Sequence, residues 1–422
     1  MTAVRVPDLG EYWGTDAGLR AAKDLLGVLA LSGYPGVGVV AEPVHVDAER
    51  LRDCGARLAR CFAAIRSVAA AVFEDKDELY RFCSDEERFH VALRRLSTLP
   101  KAHSHPMRWD VVPCSGGFKA VEVNYGWSLG GINFAALNRC YDEHLGGRLS
   151  PAYTDPMAAL LSALRRVEAE EGKQRWVLCD EDHYFSTYRS FIDNLTAILS
   201  AAGFSIRALP LSAWREIDHA SERVIEVFTG LELTDDDSLD KYIATASSSG
   251  KRPFTSPYEV FWSSKAMFAL AWRGIEERVV DEPTARLLSE MLPRTYVLRR
   301  ELRARAIEER ADWVLKPAFG LGGKDVTIGP LVENAAWLAA LDAALQSERR
   351  FVLQRYEAPL TFPLHILRPG SPPEGGEHPI VLGLFQLDGA YSGAMARAGR
   401  CRNGNINVHT GAGIGIVRET VQ

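Results

Sequence analysis

With 422 residues the chain exceeds the size at which one hydrophobic core stops growing, so two or three lobes with a cleft between them are expected. Apolar residues at 47 % and charged residues at 25 % are the proportions of an ordinary folded protein and exclude extensive disorder. The 49 Lys and Arg stand against 55 Asp and Glu, a formal charge of -6 with no basic block, which excludes tracking of a nucleic-acid backbone and favours small-molecule partners.

The first residues, Met1 to Tyr12, carry Arg5, Asp8 and Glu11 and lack the apolar stretch of a secretory signal. No uncharged apolar run reaches the roughly 18 residues of a membrane span, so no membrane partner is expected. Cys54, Cys61, Cys83, Cys114, Cys140, Cys179 and Cys401 are odd in number and lack the short paired spacings of a zinc or redox site. Free thiols in a reducing cytosol, and hence a cytoplasmic location, are the simplest reading.

From about Asp16 to Leu99 apolar positions such as Leu51, Cys54, Leu58, Cys61 and Phe62 recur at helical intervals, with Asp47 and Asp75 as candidate caps. The period then changes. RWDVVPCSGGFKAVEVNYG predicts two strands, Trp109 to Val112 and Phe118 to Val123, joined by a turn at Gly116-Gly117. Gly130 to Leu145 and Pro156 to Glu171 predict helices. Strand Trp176 to Asp180, a helix from about Ser186 to Ala202 stopped by Gly203, and strand SIRALPL form one unit of a parallel α/β sheet. TDDDSLDKYIATASSSGKRPF is an exposed connection or holds a short helix through Lys241 to Ala246. Helical periodicity returns from Trp262 to Leu302. Beyond Trp313, strands alternate with Gly-containing turns: WVLKP, DVTIG, RFVLQRY, PIVLGLFQLDG and NINVHTG, with RPGSPPEGGEHP as a surface loop.

Four groups of residues can carry chemistry. Arg108 and Asp110 share a strand face, as do Glu122 and Asn124, and on a paired hairpin all four can converge. Two carboxylates and a carboxamide oxygen suit Mg²⁺, and a neighbouring arginine can hold a phosphoryl or carboxylate oxygen; a salt-bridged, half-exposed hairpin fits the same residues. In WVLKPAFGLGGKDVTIG, Lys316 ends a strand and Gly320, Gly322, Gly323 and Lys324 form a loop whose N–H groups can approach a polyphosphate. It is not a P-loop, because the loop leads to a strand and has no GK[ST], and an ordinary hairpin would look alike. Lys265 stands at the start of an apolar helix, facing an anion or snorkelling to the surface. Arg397, Arg400, Arg402, Asn405 and Asn407 lie in a Gly-rich strand pair, where polar loop residues are also commonplace; Arg397 stands out among them.

Taken in order, these pieces resemble the synthetase domain of the glutathionylspermidine synthase family, ATP-grasp carbon–nitrogen ligases. RWD and EVN match its metal-site pattern, WSSKAMFALAW its lysine-bearing helix start, VLKPAFGLGGKDV its Lys-Pro and glycine loop, FVLQRYEAPLTFP its strand and hinge beside the adenine, and FQLDGAYSGAMAR its closing strand. The resemblance covers about three quarters of the chain, from Arg108 onward. It implies an α/β (α+β) ATP-grasp fold holding ATP between two β-containing lobes. Residues 1–105 would be a mainly helical region, 106–260 the metal-site hairpin and substrate lobe, and 261–422 the nucleotide-binding lobes. By position, Asp110, Glu122 and Asn124 would hold Mg²⁺, Lys265 and Lys316 would bind ATP phosphates under the loop Gly320 to Lys324, and Gln354 would border the adenine. Arg108 and Arg397 would stabilise the moving phosphoryl group. The implied reaction joins a small-molecule carboxylate to an amine through an acyl phosphate, releasing ADP. Phosphoryl transfer that stops at a kinase product, or nucleotide binding without turnover, would use the same residues. Ser264 departs from the family's Asn, the amidase domain of the bifunctional members is not expected, and residues 1 to about 100 match nothing in the family. Glutathione and spermidine are therefore not assumed, and oligomeric state is not read from the sequence.

Overall fold

Strands from both ends of the chain meet in one sheet, and two smaller sheets are inserted between them. The structure is a computed structural model that describes residues 4–126, 130–146, 152–218, 220–228, 236–248, 252–320, 322–399 and 405–421. The first strands are β1 (Val4–Arg5), β2 (Val39–Val40), β3 (Val44–Asp47) and the hairpin β4 (Pro106–Cys114) and β5 (Gly117–Tyr125). A three-stranded parallel sheet follows, from β6 (Arg175–Asp180), β7 (Ser205–Pro210) and β8 (Glu222–Glu226), in the order β7-β6-β8. A four-stranded antiparallel sheet comprises β9 (Thr295–Val297), β10 (Trp313–Pro317), β11 (Thr327–Ile328) and β12 (Phe351–Arg355), ordered β11-β10-β12-β9. The chain then returns to the first sheet with β13 (Thr361–Leu367), β14 (Glu374–Leu387), β15 (Ala390–Ala398) and β16 (Gly413–Thr420). That sheet has nine strands among the described residues, ordered β1-β3-β16-β2-β13-β14-β4-β5 with β15 between β14 and β16. Each of the regions 1–105, 106–260 and 261–422 sends strands into it.

The helices of the N-terminal hundred residues are Asp16–Leu31, Ala48–Val72, Lys76–Cys83 and Glu87–Leu96. Asp47 caps the second by accepting from Arg50 N, and Asp75 the third from Glu78 N, each at 2.9 Å. The continuous helical pattern fails at Val39 to Asp47, where short Val-rich runs between Gly and Pro become β2 and β3; β3 pairs parallel to β16. Helix Ala48–Val72 lies across β15, β3 and β16 and against helix Ala266–Glu276. Gly274 permits that close approach, since a Cβ there would meet Val68 Cγ2 at 2.6 Å. Trp109 on β4 is wholly buried, its ring stacked on Phe268 at 6.2 Å, and its Nε1 donates to Gln386 Oε1 at 2.9 Å. Gln386 Nε2 donates in turn to the Gly55 carbonyl, so this polar pair is satisfied inside the core.

Elsewhere the elements correct the expected pattern in identifiable ways. The β4–β5 turn is Ser115-Gly116, with Cys114 opposite Gly117, and both strands run longer than their apolar alternation. Helix Pro156–Glu171 matches its expected bounds, and the helix expected from Gly130 starts at Ala135. The helix expected from Ser186 divides at Tyr188 into Asp182–Thr187 and Arg189–Ala201. The acidic connection holds helix Asp236–Ser248, with Leu239 and Tyr242 buried. Within Trp262 to Leu302, Thr295 to Val297 is strand rather than helix. The expected loop RPGSPPEGGEHP is strand from Glu374 on, because Gly375 leaves room for His365 across the β13 pair; a Cβ there would lie 2.8 Å from His365 Nε2. NINVHTG is not a strand: Asn407 and Thr410 form a capping box around the turn Val408–Thr410. The six described cysteines are free and buried, and Cys401 lies outside the described residues. Among the described residues, no helix is long and apolar enough to cross a membrane.

Glu226 ends β8 and ties the parallel sheet to the segment leading toward Lys265. Its carboxyl accepts from Thr255 N (3.1 Å), Thr255 Oγ1 (3.0 Å) and the Tyr242 hydroxyl (3.2 Å). Burial raises its pKa to about 7 despite these bonds. The folded chain therefore binds this proton more tightly than the unfolded chain, and the associated stability is complete below about pH 4.5 and lost as pH rises through 7. Glu226→Gln should thus gain thermal stability relative to wild type between pH 5 and pH 8, measured by calorimetry; a pH-independent difference would refute the assignment.

Candidate active site

The hairpin register places four polar side chains on one face. Arg108 stands opposite Asn124 and Asp110 opposite Glu122; beyond Asp110 the pairing shifts to Val111 with Ala120, so Val121 is a bulge that ends this polar row. Gly383 of β14 stands beside Asp110 and leaves space for Arg108, whose Cδ would lie 2.9 Å from a Cβ at that position. Across β14, β15 delivers Arg397. Asp110 is buried between two guanidinium groups: Arg108 Nε donates to its Oδ1 at 2.9 Å and Arg397 reaches its Oδ2 at 2.6 Å. Burial alone would raise the Asp110 carboxyl, but Arg108 and Arg397 outweigh it and hold it at about 2. Arg108 also donates to the Gly130 carbonyl at 3.1 Å. The side-chain amide nitrogen of Asn124 and Nε of Arg397 are buried without a hydrogen-bond partner.

The two lysines come from a helix start and from β10. Lys265 precedes helix Ala266–Glu276, and its N–H donates to the Ala318 carbonyl at 2.8 Å, which joins the helix start to the end of β10. Its Nζ lies 3.5 Å from Glu122 Oε1 and 3.4 Å from the Gly320 carbonyl. Ser264 accepts from Ala266 N at 3.3 Å and donates to the Cys83 carbonyl at 3.0 Å. Lys316 of β10 donates to Gln354 Oε1 at 2.7 Å. Burial pushes the Lys316 ammonium down to about 8, the Lys265 charge adding to the effect, against the carboxylates of Glu122 and Asp110.

The glycine loop roofs this cleft. Gly322 and Gly323 adopt φ of 67° and 70°, which a side chain would strain. Asn405 Nδ2 donates to the Gly323 carbonyl at 3.1 Å, and a Cβ on Gly322 would meet His409 at 2.8 Å. Phe319 packs edge-on against Phe89 at 4.7 Å, and Arg349 joins Asp325 at 2.8 Å. Arg108, Asp110, Glu122, Asn124, Lys265, Lys316, Gln354, Arg397 and Gly320 thus converge, whereas Lys324 is exposed on the outer part of the loop. Asn407 caps a turn instead, accepting from His409 N at 3.0 Å. Arg400 and Arg402 lie outside the described residues. His409, Phe89, Gly383 and Thr295 carry no distinctive spacing in the sequence; Thr295 was hidden in an apparently helical stretch.

Neither protein families nor curated proteins gave a match to the chain. Among solved structures, a glutathione synthetase-like effector from Globodera pallida, in its apo form, aligns with a TM-score of 0.61 over 95 % of this chain and 97 % of its own, at 14 % identity. A candidate gamma-glutamylcysteine synthetase from Methylobacillus flagellatus aligns at 0.41 over 77 % and 83 %, also at 14 % identity. A D-cycloserine synthetase aligns at 0.27 over 43 % and 59 %, at 15 % identity; likenesses as low as these two decide nothing. The architecture, a mixed α/β chain with three sheets and packed helices, is the ATP-grasp fold.

Asp110→Asn would leave two recessed guanidinium groups facing a neutral amide, so a loss of about 3 kcal/mol at pH 7 is expected in urea denaturation. An unchanged midpoint would show that Asp110 does not hold Arg108 and Arg397 in place.

Proposed function

We propose that this chain is an ATP-dependent ligase that joins a small-molecule carboxylate to an amine, forming an acyl phosphate and releasing ADP and phosphate. The observation that carries the reading is the charge set of the cleft: Arg108, Lys265, Lys316 and Arg397 face Asp110 and Glu122 beneath a glycine loop. Four cations against two carboxylates leave a surplus that suits a polyphosphate. The likeness in fold to a glutathione synthetase-like chain supports ligation of an acid to an amine.

In this reading Lys265 and Lys316 bind ATP phosphates, and the loop from Gly320 to Lys324 closes over them to exclude water from the reactive acyl phosphate. Gln354 borders the nucleotide. Arg108 and Arg397 stabilise charge as the substrate carboxylate attacks the γ-phosphate and the amine then displaces phosphate from the acyl group. Holding the reactants in line supplies about 7–11 kcal/mol of such a barrier. Glu122 and Asn124 offer hard oxygens of the kind Mg²⁺ takes, and Asp110 would join them by giving up one of its arginine contacts to the ion. When bound, the ion would neutralise phosphate charge. The regions 1–105, 106–260 and 261–422 serve in this proposal as helical support, hairpin with substrate lobe, and nucleotide lobes.

A nucleotide-binding protein without turnover is the second reading. It is favoured by the two arginines that already occupy both Asp110 oxygens.

Purified protein incubated with Mg-ATP and pooled acids and amines should release ADP only when both are present, with a product lighter than their sum by one water. Tight Mg-ATP binding without turnover in any pool would favour the second reading. Glu122→Ala should abolish turnover without unfolding the protein, and full activity in that variant would sink the metal assignment. Because the Lys316 ammonium is lost above about pH 8, Mg-ATP affinity should weaken as pH rises through that value, by up to about tenfold per unit. Lys316→Met should weaken binding by about 1.5–3 kcal/mol and remove this pH dependence, both read by calorimetry.

A further inference from the structure

From Lys316 a chain of hydrogen bonds runs through the buried Gln354 and Thr295 to the helix that Lys265 begins. Trp272 lies on the helix that Lys265 begins, and its indole Nε1 donates to the Pro293 carbonyl at 2.8 Å. The same carbonyl accepts the Thr295 hydroxyl at 2.8 Å. Thr295 is wholly buried and stands opposite Gln354 in the β9–β12 pair. Gln354 Nε2 lies 3.4 Å from Thr295 Oγ1, and Gln354 Oε1 accepts from Lys316 Nζ.

The proton inventory gives this chain a direction. A threonine hydroxyl has one proton, and here it is committed to Pro293, so toward Gln354 its oxygen can only accept. The Gln354 side chain, 1 % exposed, must therefore turn its NH₂ to Thr295 and its carbonyl to Lys316. The opposite orientation would set amide N–H groups against an ammonium and a carbonyl against a lone pair.

We propose that Thr295 is a positioning residue for the cleft: its hydroxyl orients the Gln354 amide so that a neutral carbonyl oxygen holds the Lys316 ammonium in place with its full charge available to an anion. Lys265 meets a carboxylate, Glu122, and is partly neutralised; Lys316 is held by a dipole instead. The phosphate-binding consequence rests on the ATP reading above, whereas the orientation of the amide does not. The charged groups acting on Lys316 are Glu122, Asp110 and Lys265, and burial already depresses its charged form. Loss of its oriented acceptor should therefore depress it further.

The test is competitive acetylation of the unliganded protein with acetic anhydride across pH, reading the Lys316 peptide by mass spectrometry, alongside calorimetric titration with Mg-ATP. Thr295→Ser should keep the wild-type midpoint for Lys316. Thr295→Val, nearly isosteric, should lower it by about one pH unit, and Mg-ATP affinity should begin to fall at a correspondingly lower pH. Gln354→Met should give the same downward shift, and adding Thr295→Val to it should give no further change, because the hydroxyl acts through the amide. An unchanged Lys316 midpoint in Thr295→Val, or additive shifts in the double variant, overturns the inference. A shifted midpoint in a protein that binds no Mg-ATP at any pH overturns the nucleotide reading instead, so the two failures are told apart.

Discussion

Cys114 pairs with Gly117 across a two-residue turn, and that closure determines which residues of β4 and β5 oppose one another. A slip of one residue would carry Asp110 and Glu122 to opposite faces and turn either Val123 or Trp109 out of the core, according to which strand moved. The burial of Trp109 against Phe268, with its indole bonded to Gln386, opposes such a slip from the apolar side. The polar face follows from the same register: Arg108, Asp110, Glu122 and Asn124 share a side because their neighbours in the strand are needed in the core. The hairpin thus couples a stability requirement to the geometry of the cleft.

The cleft concentrates charge that an ordinary interior would reject. Asp110 tolerates burial because two guanidinium groups satisfy its oxygens, and they in turn depend on it, which makes the trio an all-or-none unit. Lys265 and Lys316 are brought together by one backbone bond, from Lys265 N to the Ala318 carbonyl, which fixes a helix start against the end of β10. The glycine loop between β10 and β11 is tied at two points: Asn405 Nδ2 donates to the Gly323 carbonyl, and Phe319 is packed on Phe89. Phe89 of an N-terminal helix and Asn405 and His409 of the C-terminal turn all lie against this loop.

Much of this was legible in the chain. The hairpin was visible because alternation of apolar and polar residues has a period of two, and the Lys-Pro strand with its glycine loop was visible because several glycines in five residues suit few structures. The misreadings share a cause. Val39 to Asp47, Thr295 to Val297 and Glu374 to His378 are short or glycine-bearing segments with weak strand signals of their own, and each became strand because a distant partner supplied the missing hydrogen bonds. NINVHTG erred the other way: its alternation suggested a strand, but the Asn407 and Thr410 side chains supplied local bonds that closed a turn.

The sequence by itself determined the chemistry at hand: which side chains carry charge, their spacing on a strand or at a helix start, and the backbone freedom of the loop between Gly320 and Gly323. These are local properties, set by residue type and neighbouring positions. Only the tertiary structure decided that Asp110 lies between Arg108 and Arg397, that Lys316 is held by Gln354 while Lys265 faces Glu122, and that Thr295 stands behind them. Those pairings join residues up to 287 positions apart along the chain, and they arise from sheet register, helix packing and burial, whose free energies belong to the folded whole and to no single segment.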